Sequence, residues 1–69
     1  MARKRSPQLT ERQREIAYML AGRTQEGIAN ELGLSVRNVR YHVEAMRRMF
    51  HVHSTVELIA VLREQNLIE

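Results

Sequence analysis

Cysteine is absent from the 69 residues, which excludes a disulfide framework, a thiolate nucleophile and any zinc site built on cysteine. No apolar run approaches the ~18 residues that a membrane-spanning helix needs. The opening segment, Met1-Ala2-Arg3-Lys4-Arg5-Ser6-Pro7, is basic but leads into no apolar stretch, so it does not read as a secretory signal. A chain of this length is expected to form one small domain, too short to enclose an active site. So limited a core also makes an oligomer or a partner a reasonable expectation. A cytoplasmic, single-domain protein without disulfides remains.

What is present is arginine. Ten of the eleven cations are Arg, set against eight Glu and no Asp. Their positions say more than the net +3: residues 1–23 carry +4, 24–34 carry −2, 35–50 carry +3 and 51–69 carry −2. Arg offers a planar fork that suits phosphates and guanine edges. An ordinary solvated surface would show the same total, and only placing the basic residues on a common face separates the two readings.

The apolar residues fall at helical spacing and nowhere alternate over a strand length, so four helices are predicted. The first starts after Leu9, with Thr10 and Gln13 in capping-box positions, Ile16, Met19 and Leu20 inward, and Gly22 as its stop. The second starts at Thr24, turns Ile28, Ala29 and Leu32 inward and ends at Gly33, with Gly27 as a weak point inside it. Ser35 caps the third, about 36–50, whose stripe is Val36, Val39, Val43, Met46 and Phe50. Ser54 or Thr55 opens the fourth, about 55–65; Asn66 is a left-handed stop, and Leu67 and Ile68 pack back. Residues 1–7 are read as a basic flexible arm and 8–69 as the domain.

Opposite the apolar stripe of the third helix lie Arg37, Arg40, Tyr41, Glu44 and Arg48, flanked by Arg47. A face about 16 Å long suits the DNA major groove, ~12 Å wide. The same residues would also make a solvated face with an Arg40–Glu44 pair. The preceding residues favour the groove. Counting from Gln25, Ala29 is fifth, Gly33 ninth and Val39 fifteenth, the positions where a helix-turn-helix needs a small residue, a turn residue and a buried branched one. The fourth helix presents Val56, Ile59, Ala60, Val61 and Leu62, a wider apolar face than a terminal helix needs for its own core. Either part of it stays exposed and associates, or all of it packs on the first helix.

The stretches Leu9 to Ile16, Ala21 to Thr24, Ile28 to Ser35 and Val39 to His42 together resemble the LuxR/GerE-type helix-turn-helix, over residues 8–68. That resemblance implies an all-α, four-helix bundle-like domain containing the helix-turn-helix, with the third helix reading double-stranded DNA and the fourth forming a homodimer. Thr24 and Gln25 would meet phosphate at a helix N-terminus. Arg37, Asn38, Arg40, Tyr41 and Glu44 would face base edges or nearby phosphates, and Arg47 and Arg48 would hold the backbone. Val56, Ile59, Ala60 and Leu62 would form the dimer contact. The expected function is a sequence-specific transcriptional regulator at the nucleoid, bound to an inverted repeat.

The chain departs from the family pattern at Glu44 and Met49, where basic residues are common, at His51, where Gly is usual, and at Gly27, where Glu is frequent. Glu44 cannot hold phosphate but can accept from cytosine N4. Larger relatives carry an acyl-homoserine-lactone-binding or receiver domain ahead of this module. Neither fits before Leu9, so the chain reads as a stand-alone form, or else as one domain of a larger regulator. The alternative function is a protein-interaction module that pairs with larger LuxR-type regulators or RNA polymerase. No cofactor, metal site or enzyme activity is expected: His51 and His53 have no adjacent carboxylate or cysteine, and His42 is read as packing between helix and turn.

Overall fold

The computed structural model describes residues 8–68, so the expected arm at residues 1–7 and Glu69 lie outside the described residues. Four helices follow one another: α1 (Glu11–Leu20), α2 (Gln25–Leu32), α3 (Val36–Phe50) and α4 (Thr55–Glu64). The fold is all-α, and among the described residues there is no strand.

Each helix starts for the same reason. A hydroxyl side chain on the residue before it, Thr10, Thr24, Ser35 or Ser54, accepts from the backbone N–H three residues on. Such a bond satisfies a donor that the helix itself leaves open, and is worth about 1 kcal/mol. At α1 the box closes completely: Gln13 N–H donates to Thr10 Oγ1 and Thr10 N–H to Gln13 Oε1, both at 3.1 Å. That exchange explains why Gln13 is a buried polar residue.

Three of the four helices also stop alike. Gly33, His51 and Asn66 adopt left-handed φ angles of 69°, 58° and 59°. Beyond them, Leu34, Val52 and Leu67 donate back to the carbonyls of Ala29, Arg47 and Leu62 at 2.8, 3.0 and 2.9 Å. These residues then pack against the core, as the Schellman stop prescribes. His51 thus ends α3 in the conformation that a glycine would adopt. α1 is the exception and corrects the expectation for Gly22: its cap is Ala21 in the right-handed region, and Gly22 has no positive φ.

The core sits along α3. Val39, Val43 and Met46 are buried there against Ile16, Ala17 and Leu20 of α1, Ile28 and Ala29 of α2, and Leu58 and Leu62 of α4. Leu9 and Ile68 close it from the two ends of the described chain. α1 and α3 each pack on the other three helices, while α2 and α4 do not pack on one another. Val36 and Phe50 are only half-buried, because the 15-residue helix overreaches the core at both ends. Met19 is half-buried as well; Ala17 takes the place inside.

The two glycine positions separate in a stability measurement. At Gly33 a side chain meets an unfavourable φ, so Gly33→Ala is expected to cost about 1–2 kcal/mol. A Cβ at Gly22 would meet nothing within 4 Å, and Gly22→Ala is expected to be neutral or to stabilise by up to about 1 kcal/mol. Urea denaturation of both variants checks this; equal losses would show that Gly22 also needs to be glycine.

Candidate nucleic-acid interface

The α2–α3 corner is built by the three positions counted from Gln25. Ala29 and Val39 are 3% and 0% exposed where the helices cross, so a larger side chain at 29 would force them apart. Gly33 turns the chain through its left-handed φ, and Ser35 immediately caps α3 through a 3.0 Å bond from Asn38 N–H. With short bonds on both sides, the three-residue turn Gly33-Leu34-Ser35 has little freedom.

Burial of Val39, Val43 and Met46 turns the opposite side of α3 to solvent. Arg37, Asn38, Arg40, Tyr41 and Arg48 are exposed there, while Glu44 and Arg47 are half-buried. Arg37, Arg40 and Arg48 enter no ion pair among the described residues, whereas Arg12 pairs with Glu15 and Arg23 with Glu31. Three guanidinium groups are therefore available on one face. Tyr41 is 64% exposed, and its ring meets that of His42 edge-on, with centroids 5.5 Å apart. His42 is half-buried beneath it, and its Nδ1 is buried without a hydrogen-bond partner.

Glu44 does not pair with Arg40. Its Oε2 lies 3.9 Å from Arg47 Nη2, and Arg47 Nη1 donates to the His53 carbonyl at 3.1 Å. The second bond explains the choice of partner: the turn after α3 holds the Arg47 guanidinium, and Glu44 leans on a cation already in place. His53 N–H in turn donates to Glu57 Oε1 at 2.8 Å. No residue pattern signals this chain of contacts, since a carbonyl acceptor carries no residue identity. His51 and His53 are both exposed and serve the turn through their backbones. At α2, Thr24 is exposed and Gln25 half-buried. Thr24 Oγ1 accepts from Gly27 N–H at 3.0 Å, which leaves its own O–H to donate outward.

A second surface lies on α4. Val56, Ile59, Ala60 and Arg63 line a shallow groove with Ala21 from the end of α1. Val56 is 77% exposed, but Leu62 is fully buried in the chain's own core. The structure thus brings three of the four predicted contact residues together and places Leu62 with Leu58 on the inward side. Leu58, which sequence reasoning passed over, stands four residues before Leu62 and completes the inward stripe. Truncation should expose the division: Leu62→Ala is expected to cost about 2–5 kcal/mol, and Val56→Ala less than about 0.5. Thermal unfolding of the two variants at a concentration where the chain is monomeric tests it, and similar losses would contradict the assignment.

Among the described residues no helix is long and apolar enough to cross a membrane. The sequence model of the GerE family, described as bacterial regulatory proteins of the luxR family, matches residues 7–62, more than half of the chain. This is a family of DNA-binding regulatory domains and not of enzymes. The match takes in the whole α2–α3 corner, the arginine face and most of α4, and the chain belongs to the luxR family of bacterial regulatory proteins.

Proposed function

We propose that the chain acts as a homodimeric transcriptional regulator that lays α3 in the major groove of an inverted-repeat site, in the bacterial cytoplasm on nucleoid DNA. The observation that carries this is the trio Arg37, Arg40 and Arg48, unpaired on the side of α3 opposite its buried stripe. A solvated face has no need of three free guanidinium groups on one side of a helix; a polyanion does. In this reading Arg37, Asn38, Arg40, Tyr41 and Glu44 meet base edges or nearby phosphates. Thr24 and Gln25 meet phosphate at the α2 N-terminus, where backbone N–H groups point outward. Arg48 holds the DNA backbone, and Arg47 reaches it from its place against the turn.

The α4 groove supports the dimer. Val56, Ile59 and Ala60 would meet the same residues of a second copy across a two-fold axis. Such a pair presents two α3 helices about 34 Å apart, one turn of DNA, which demands half-sites in inverted order.

Selection from a randomised duplex pool at ~150 mM salt tests the whole reading, with an inverted repeat as the expected product. Recovery of no sequence from a chain that sediments as a dimer would overturn it in favour of a protein-interaction module. On the selected site, Arg40→Ala is expected to cost about 1–3 kcal/mol and to relax base preference. Arg48→Ala should weaken binding to all sequences alike and flatten the salt slope by about one unit. If neither variant alters binding, the assigned face is wrong.

A further inference from the structure

We infer that Glu44 determines base specificity by requiring a cytosine opposite it, and that Arg47 is the positioning residue that aims its carboxylate. The inference rests on the DNA-binding reading above and deepens it. Arg37, Tyr41, Glu44 and Arg48 follow one another at steps of four, three and four, a single ridge along the outward side of α3. Glu44 is therefore on the ridge itself, between Tyr41 and Arg48, and its side chain is 44% exposed. A carboxylate among free arginines weakens any contact with phosphate. It has a use only where a hydrogen-bond donor is offered.

In the major groove the donors are the amino groups of cytosine and adenine. Guanine offers two acceptors and thymine one, and all of these repel a carboxylate. Adenine sets its N7 acceptor beside its amino group, which suits an amide that both donates and accepts but not a group that only accepts. The cytosine amino group has an acceptor on one side only, the guanine O6 of its own pair, whereas the adenine amino group stands between its N7 and the thymine O4, so cytosine is the base that best answers a carboxylate. Discrimination here comes as much from repulsion of the other bases as from attraction to this one.

The second part concerns aim. A glutamate on an exposed helix samples many rotamers, and ordering it on binding is unfavourable. Here Arg47 Nη2 stands 3.9 Å from Glu44 Oε2, while Nη1 is held by the His53 carbonyl at 3.1 Å. The guanidinium is thus tied to the α3–α4 turn and restricts the carboxylate from one side, leaving its other oxygen for the base. An exposed ion pair of this length is worth about 1 kcal/mol at most, so it biases the carboxylate among its rotamers by a few-fold without locking it.

Duplex selection with the parent chain, Glu44→Gln, Glu44→Ala, Arg47→Ala and Arg47→Lys tests both parts, followed by binding to single-base variants of the recovered site. The parent should fix cytosine at one position per half-site and bind a guanine variant roughly 5- to 150-fold more weakly. Glu44→Gln should move the preference at that position to adenine, and Glu44→Ala should abolish it while tightening binding to unrelated duplex. Arg47→Ala should keep cytosine but with a smaller ratio over the other bases, and Arg47→Lys should restore much of that ratio. If Glu44→Ala selects the same base as the parent at every position, Glu44 does not set specificity. An unchanged cytosine ratio in Arg47→Ala removes the positioning role. Enrichment of no duplex by the parent chain would instead overturn the DNA-binding reading, and this inference with it.

Discussion

The burial of Val39, Val43 and Met46 is the constraint on which the rest depends. All three are at most 1% exposed, and a close-packed interior does not let the helix that carries them rotate or slide. Turning α3 by a single residue would move its outward side by 100° and drive an arginine toward the core, where an unpaired charge is strongly disfavoured. The direction of Arg37, Arg40 and Arg48 is thus set by side chains on the other side of the same helix. The apolar stripe holds the fold together and aims the cationic face in the same act.

What surrounds α3 keeps that aim from loosening. Its start is fixed by the Ser35 cap and the left-handed Gly33, and its end by His51 in a conformation that glycine adopts more easily. A non-glycine residue at a φ of 58° is disfavoured by about 1 kcal/mol or more. The bonds from Val52 N–H and His51 N–H to the carbonyls of Arg47 and Arg48, together with the Arg47 bond to the His53 carbonyl, offset it. An irregular residue is tolerated because several neighbours determine its position.

Legibility in the sequence followed the range of the interaction. Thr10, Thr24, Ser35 and Ser54 act within three residues of their partners, and each was readable as a helix start, Ser54 with Thr55 as its rival. Gly33 and Asn66 were readable as stops for the same reason. Gly22 was not, because a glycine near a helix end permits a left-handed stop without requiring one. The inward side of α4 is not legible at Leu62 for a different reason. Residues 56–62 are apolar except for Glu57, so periodicity gives no unique phase, and only packing against α1 and α3 selects Leu58 and Leu62. The Arg47 contact needed the turn geometry itself, which no side-chain pattern encodes.

α4 repeats the logic of α3 on a smaller scale, with Leu58 and Leu62 inward and Val56, Ile59 and Ala60 outward. The two helices are joined by four residues, and those are held from both sides: Arg47 binds the His53 carbonyl, while Ser54 caps α4 and Glu57 takes the His53 N–H. A regulator that reads an inverted repeat needs its reading helix at a fixed angle to its pairing helix, because half-site spacing tolerates little error. A flexible link would let each half bind separately and lose the gain from joining them. On the proposed reading, the bonds across the α3–α4 turn serve that need by restraining the angle between the two helices. They use the side chains of Arg47, Ser54 and Glu57, and Arg37, Arg40 and Arg48 take no part in them on the outward face.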